Sequence, residues 1–362
     1  MTNHSSKTIL IAPLDWGLGH ATRCISIIQT LQNQGFKIIV AVNKKQQQLL
    51  EQEIKNVRFV FLQGYEISYS KTKYFFGLKI VAQAPKILWR IYQEHQWLKK
   101  TIADEKIDIV ISDNRFGLFN KKVPSVFITH QLQIKAPFVW LEGLIQKINY
   151  RFINHYQQCW VPDVEGENNI AGNLSHPKIL PKTPTHYIGC LSRFKRTSNS
   201  IKLYDVCILL SGPEPQRTLF EQILLHQIKS IKHKKIIFVR GLPSEEIEIK
   251  NDSSLIYNHL THQELEEVIN TSELIIARSG YTTVMELMNL YKKSILIPTS
   301  GQTEQEYLAQ HLSQKNYCLS CTQSNFDLKN GLKEAEEFSF SFIENINYNA
   351  HQIIDLINKL AD

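Results

Sequence analysis

The stretch at residues 8–23, TILIAPLDWGLGHATR, decides the fold. Its first six residues form a continuous apolar run, the pattern of a strand buried on both faces. A turn with Gly17 and Gly19 follows, and then Ile25, Ile28 and Leu31 recur at helical spacing until Gly35. Apolar runs at residues 36–42, 57–62, 107–112, 125–129 and 158–161 predict further strands, and alternation of such strands with helices means a parallel sheet. The same unit restarts at residues 205–217, DVCILLSGPEPQR, with strand-like runs after it at 235–240, 254–258, 274–277 and 294–298. The sequence therefore predicts an α/β protein of two doubly wound, Rossmann-like domains, one over residues 1–195 and one over residues 196–345, meeting near the polar segment SRFKRTSNSIK at 192–202. A length of 362 residues suits two domains of about 100–200 residues each. A last helix at residues 342–360 has no strand after it, so residues 346–362 are expected to pack back across the junction. Ligands bind at the carboxyl ends of strands in such sheets, so the two domains are expected to face a central cleft.

Composition narrows the partners. With 43% hydrophobic and 21% charged residues, disordered and collagen-like chains are excluded. The net charge of +7 is uneven: residues 1–165 carry an excess of nine positive charges, whereas residues 166–362 carry an excess of two negative ones. Residues 71–100 alone hold seven Lys/Arg against Glu94, interleaved with Tyr74, Phe75, Phe76, Trp89, Tyr92 and Trp97. That mixture fits an anionic membrane surface or a lipid-linked acceptor, and it also fits a solvated helix whose aromatics face inward. The slightly acidic second half argues against general nucleic-acid binding, and Pro85 weighs against one continuous amphipathic helix. No run approaches the roughly 18 apolar residues of a membrane span, and no signal-peptide cleavage pattern is present. Six scattered cysteines suggest a reducing, cytoplasmic compartment. Cys318-x-x-Cys321 lacks two further ligands at zinc spacing, so no metal is expected there.

Four motifs stand at expected strand ends. Gly17-Leu18-Gly19-His20-Ala21-Thr22-Arg23 looks first like a dinucleotide fingerprint, but Thr22 replaces the third glycine and Asn43 stands where a ribose-binding acid belongs. Its glycines still let backbone approach a ligand at a helix N-terminus. His20, at the helix start, can take a proton near neutral pH, with Asp15 placed to orient it; packing or capping is the bland alternative. The second motif, Ser211-Gly212-Pro213-Glu214-Pro215-Gln216-Arg217, offers Ser211 as a cap and Arg217 as a counter-charge to a diphosphate, although an ordinary helix start explains it equally. The third, Arg278-Ser279-Gly280-Tyr281-Thr282-Thr283-Val284-Met285-Glu286, places a carboxylate in a helix's second turn, where it can accept from the two hydroxyls of a ribose or stay solvated. The fourth, residues 298–309, supplies Gln302 and Gln305 for sugar hydroxyls. Asp113 and Arg115 (SDNR) and His130 (THQ) end other first-domain strands, which suits acceptor contact, and His130 is a second candidate base.

In order and spacing, the last two motifs resemble the C-terminal domain of family 28-type, MurG-like glycosyltransferases. The family pattern S-R-A-G-x-x-T-x-x-E is met by Arg278, Gly280, Thr283 and Glu286, and H-Q-x-x-N-A by Gln305 and Ala309, with Glu304 and Leu308 departing from it. The opening G-x-G-H-x-x-R is similar to MurG-like proteins that include predicted glycosyltransferases and a nucleotide-sugar hydrolase. The resemblance implies a GT-B fold, a nucleoside-diphosphate sugar (UDP by family habit) on the C-terminal domain with Glu286 on its ribose, and an acceptor on the N-terminal domain. SGPEPQR departs from the family's glycine-rich diphosphate loop. No Asp-x-Asp stands near a strand end, so metal independence is expected and the donor is a co-substrate with no cofactor. Retaining GT-B enzymes carry two glutamates eight apart; here Arg278 and Ser294 flank Glu286 at that spacing, which favours inversion. The implied activity is sugar transfer to a cell-envelope or lipid-linked acceptor at the inner face of a membrane. A nucleotide-sugar hydrolase, a non-catalytic nucleotide-sugar-binding protein and other GT-B chemistry such as epimerisation are the alternatives.

Overall fold

The computed structural model describes residues 7–66, 83–136, 139–197, 200–242, 248–251 and 254–361. These form two compact units. One comprises the described residues up to Arg193 together with those from Ile346 onward, and the other is Phe194–Asn345.

In the first unit, β1 (Thr8–Pro13) is buried at every residue, as its unbroken apolar run requires. It is followed by α1 (Gly19–Asn33), β2 (Lys37–Val42), α2 (Lys44–Glu53), β3 (Arg58–Phe61), α3 (Ala84–Glu105), β4 (Ile109–Asp113), β5 (Ser125–Ile128), α4 (Val139–Ile153), β6 (Gln158–Val161) and β7 (Thr185–Tyr187). The seven strands pair in parallel in the order β3-β2-β1-β4-β5-β6-β7. The edge strand β7 has only three half-buried residues, Thr185, His186 and Tyr187, too short and polar for an apolar run to announce it.

The second unit repeats the plan with β8 (Tyr204–Leu209), α5 (Gln216–Ile228), β9 (Ile236–Val239), β10 (Glu248–Asn251), β11 (Ser254–Tyr257), α6 (His262–Thr271), β12 (Ser272–Ala277), α7 (Tyr281–Asn289), β13 (Lys293–Leu296), α8 (Thr303–Gln314), β14 (Leu319–Ser320) and α9 (Leu328–Glu337). Its order is β10-β11-β9-β8-β12-β13-β14, parallel throughout except for β10, which runs antiparallel to β11. Phe220 and Leu224 of α5 and Leu328 and Leu332 of α9 pack with Ile208, Phe238 and Ile276 of the strands, so helices close that sheet face.

Strand order reverses between β1 and β4 in one sheet and between β8 and β12 in the other. Ligand sites of doubly wound sheets lie at the carboxyl ends of such strand pairs. The loops there are residues 14–18 after β1, Asn114–Arg115 after β4, 210–215 after β8 and Arg278–Gly280 after β12.

The last helix, α10 (Ala350–Ala361), is shorter than the apolar pattern predicts. Asn345 takes a left-handed conformation, φ 57°, which breaks a helix before it. The Asn349 side chain then accepts from the amides of His351 (3.0 Å) and Gln352 (3.2 Å), which sets the start. This segment belongs to the first unit, where the Tyr348 and Thr30 hydroxyls meet at 2.7 Å.

Of the basic stretch 71–100, residues 71–82 lie outside the described residues, and the rest lies on α3. Pro85 does not interrupt this helix but opens it, since a proline in the first turn gives up no intrahelical bond. Ile91, Glu94, Leu98 and Thr101 are buried. Leu88, Trp89 and Tyr92 face outward, with Trp89 stacked on Tyr92 at 5.5 Å between centroids. Of the two readings of these aromatics, the inward-facing one does not hold for Trp89 and Tyr92. Among the described residues no helix is long and apolar enough to cross a membrane.

Candidate active site

In the first unit, Gly17 has φ +85°, a conformation that favours glycine and lets the chain turn from β1 into α1. Gly19 begins α1, so His20 lies in the first turn. The register pairs Pro13 with Asp113, bringing the end of β4 under that turn. Asp113 is fully buried, and its Oδ2 accepts from His20 Nδ1 at 3.1 Å. Arg23 grips the same carboxylate, with Nε on Oδ2 at 2.8 Å and Nη2 on Oδ1. Burial pushes the Asp113 carboxyl up, but Arg23 and then His20 outweigh it and hold the group well below the ordinary carboxylate range. An ionised Asp113 can only accept, so His20 carries its proton on Nδ1 and exposes the lone pair of Nε2. Nε2 has no hydrogen-bond partner among the described residues. Burial first, and Arg23 next, lower the His20 imidazole below its ordinary range, against the pull of Asp113. The result is a neutral imidazole at the carboxyl end of a switch-point strand with one nitrogen open, the form a general base needs.

Other first-unit residues have different partners from those the sequence suggests. Asp15 does not orient His20; its Oδ1 accepts from the Tyr65 amide at 3.1 Å, and Asp113 holds the imidazole instead. Arg115 does not reach toward an acceptor. It is fully buried, with Nη1 on Glu94 Oε1 at 2.7 Å and Nε on the Pro13 carbonyl at 2.9 Å. His130 is buried beside Arg23, whose Nη1 lies 3.3 Å from its Nδ1. Nε2 of His130 lies 3.4 Å from the side-chain nitrogen of Gln131, so both ring nitrogens face donors.

In the second unit, α7 starts at Gly280 and carries Glu286 in its second turn; Glu286 is buried, which removes the solvated reading. Thr283 lies one turn before it on the same face and is half-buried. A Cβ on Gly280 would have nothing nearer than Gln305 Nε2 at 4.0 Å, so the turn is open toward α8. Gln305 Oε1 accepts from the Thr299 amide at 2.9 Å, leaving its Nε2 as the donor, and the Ser279 hydroxyl donates to the Gln305 carbonyl at 2.9 Å. Gln302 stands at the N-cap of α8 without capping it through its side chain.

Three assignments change. Ser211 does not cap α5, whose N-cap is Pro215, and Gly212, with φ +111°, supplies the turn instead. Arg217 is not an open counter-charge, because Glu214 (2.6 Å) and Glu221 (2.7 Å) take its guanidinium. Arg278 is fully buried beneath the loops. It donates to the carbonyls of Gln216 (2.9 Å), Ile297 and Pro298 (both 3.3 Å) and to the Gln323 side chain (2.7 Å), and lies over the Phe220 ring at 4.4 Å. It ties together the strand-end loops of β8, β12, β13 and β14. Burial lowers its pKa to about 10.

Arg23, Glu94 and Thr299 were given no site role from the sequence. Arg23 had a signal, since it lies three residues after His20 and so on the same helix face. Glu94 was the one acid in a basic stretch. Thr299, whose buried Oγ1 has no partner among the described residues, stands in the loop that meets Gly212.

Residues 206–359 match the profile of the glycosyltransferase family 28 C-terminal domain. Over 335 residues the chain is 24% identical to a UDP-N-acetylglucosamine–N-acetylmuramyl-(pentapeptide) pyrophosphoryl-undecaprenol N-acetylglucosamine transferase of Clostridium botulinum, covering 87% of this chain and 86% of that protein. The fold is similar to that of the kitacinnamycin glycotransferase (TM-score 0.64, 11% identity, 98% of this chain and 95% of that one). It is also similar to Acinetobacter baumannii MurG (TM-score 0.52, 12% identity, 98% and 99% covered).

Proposed function

We propose that this chain, a glycosyltransferase of the GT-B fold with a family 28-type C-terminal domain, moves a sugar from a nucleoside diphosphate to a lipid-linked, cell-envelope acceptor. UDP is the nucleotide by likeness to relatives whose names specify UDP-N-acetylglucosamine and a pyrophosphoryl-undecaprenol acceptor. One observation carries the reading: an ionised, buried Asp113 holds Nδ1–H of His20 and leaves Nε2 open. As the acceptor oxygen attacks the anomeric carbon, His20 Nε2 takes its proton. The bond from that carbon to the diphosphate oxygen breaks, and the electron pair leaves with the diphosphate. A single in-line displacement inverts the configuration, consistent with Arg278 and Ser294 at the positions where a retaining enzyme carries its second glutamate. Glu286 accepts from the ribose hydroxyls. With Arg217 and Arg278 engaged elsewhere, the amides at the starts of α7 and α8 meet the leaving diphosphate. The absence of Asp-x-Asp near a strand end in the sequence supports transfer without a metal.

The assay is release of UDP from UDP-N-acetylglucosamine with and without an undecaprenyl-diphosphate-linked sugar acceptor. Release that depends on acceptor is expected. Equal release in water alone would replace the proposal by nucleotide-sugar hydrolysis, a reaction the GLGHATR opening also suits. Saturable UDP binding without release from any donor would leave a binding protein.

We place the protein in the cytoplasm and at the inner membrane face, held by α3. Leu88, Trp89 and Tyr92 give that helix an exposed apolar surface, and Lys99 and Lys100 are exposed near its other end. Lys86 and Arg90 are partly neutralised by Glu66, so the apolar side chains carry more of the attachment than the charge count suggests. Co-sedimentation with anionic vesicles at low salt is expected, and its loss in Trp89→Ala/Tyr92→Ala. No sedimentation of the unmodified protein would remove this placement.

A further inference from the structure

Arg23 is almost wholly buried and lies three residues after His20 on α1, and the two side chains hold one carboxylate. We propose that Arg23 is a positioning residue for His20: by gripping both oxygens of Asp113 it fixes the carboxylate that orients the imidazole and keeps Nε2 as the open nitrogen. Arg23 has this role only if His20 is the acceptor base proposed above.

The geometry supports it in two ways. A carboxylate held through one oxygen can still rotate about its terminal torsion, whereas the guanidinium fork fixes its plane. Oδ1 is taken by Nη2, while Oδ2 accepts from Nε, from His20 Nδ1 and, at 3.7 Å, from the Cys24 thiol. A lysine cannot reproduce that fork. The third nitrogen, Nη1, faces His130 Nδ1 at 3.3 Å.

Charge is the other support. The charged and titratable groups acting on His20 are Arg23 from α1, Asp113 from the end of β4 and His130 after β5, and the Cys24 thiol lies against Asp113. Burial raises the Cys24 thiol well above its ordinary range, so it stays neutral. The imidazole therefore faces a carboxylate whose charge Arg23 cancels, and not a bare anion. A bare Asp113 would stabilise the imidazolium and protonate the base at neutral pH. The arginine thus separates two effects of the aspartate: it keeps the orientation and cancels most of the field.

The test is nitrogen-15 imidazole NMR of His20 in the full chain, for the wild type, Arg23→Lys and Arg23→Met, alongside donor turnover. In the wild type the Nδ1-protonated tautomer is expected to dominate. In Arg23→Met the titration of His20 moves to higher pH and the acid limb of turnover moves with it. In Arg23→Lys the charge remains but the fork is lost, so the tautomers mix and kcat falls while KM for the UDP-sugar stays. If Arg23→Met does not fold, Arg23→Met/Asp113→Asn, which removes both charges, is expected to lose the tautomer preference. Wild-type tautomer and titration in Arg23→Lys and Arg23→Met would overturn the role of Arg23 while leaving His20 as base. Wild-type turnover in His20→Ala would instead overturn the base, whatever the spectra show.

Discussion

Replacing His20 by alanine lowers acceptor-dependent sugar transfer by about 10²–10⁴-fold, the range that a positioned general base supplies. The reason lies in the direction of the ring. Asp113 is ionised and can only accept, so it fixes the proton on Nδ1 and turns Nε2 outward. Removing the imidazole leaves no neighbour able to replace it. His130 has Nδ1 facing Arg23 and Nε2 facing the Gln131 side-chain nitrogen, and Asp113 is itself held by Arg23. UDP affinity is expected to be unchanged, because Glu286, which is proposed to hold the ribose, belongs to the other unit. The pH profile supplies a second measurement. Burial and Arg23 lower the imidazole from its ordinary value. The wild type therefore stays active through neutral pH, and turnover falls only as the pH drops below about 6.5, where the neutral base begins to be lost. A His20→Ala protein with wild-type turnover, or an acid limb above that value, would exclude the assignment. Stability should change little, since the side chain's hydrogen bond among the described residues is to Asp113, which Arg23 still holds.

The fold was legible because buried parallel strands print continuous apolar runs, and a glycine turn after each of two such runs marked both switch points. Elements whose information lies in pairing were not: β7, β10 and β14 are edge strands of two to four residues, held by neighbours and not by their own apolar pattern. The site divides the same way. His20 and Glu286 could be picked out as residue types at strand-end turns. The partner of His20 could not, because Asp15 is near in sequence whereas Asp113 is brought in by the β1–β4 register, 93 residues away. Arginines were the consistent difficulty. Beside a strand end each suggests a ligand contact, yet Arg115, Arg217 and Arg278 are all buried on protein partners. For Arg217 the signal was present, since Glu221 is four residues on and thus one helical turn away. For Arg115 and Arg278 the partners Glu94 and Gln323 come from distant elements, which only packing reveals.

Arg115→Met should therefore act on stability more than on chemistry, with a loss of about 3–5 kcal/mol, as when one member of a buried pair is removed. Arg115 and Glu94 are both almost inaccessible and meet at 2.7 Å. The methionine also forfeits the bonds to the carbonyls of Pro13 (2.9 Å) and Gln63 (3.2 Å), which anchor the chain at the end of β1 and just beyond β3. Glu94 would remain with only the Tyr65 hydroxyl (2.7 Å) and the Gly117 amide (3.2 Å) as donors. Its carboxyl is already raised by burial, with Arg115 opposing that rise. Without the arginine the rise is greater, so the folded variant holds a proton that the unfolded chain releases. Folding then binds protons across the interval between the two pKa values, and stability falls as pH rises through it. The variant should lose more stability relative to wild type at pH 8 than at pH 5, as measured by urea unfolding at both. Removing the second charge as well tests the cause. Arg115→Met/Glu94→Met leaves no uncompensated carboxylate, so it should recover part of the loss and flatten the pH dependence. If the double variant is as unstable as the single one at both pH values, the cost lies in the lost carbonyl bonds and packing and not in the stranded charge.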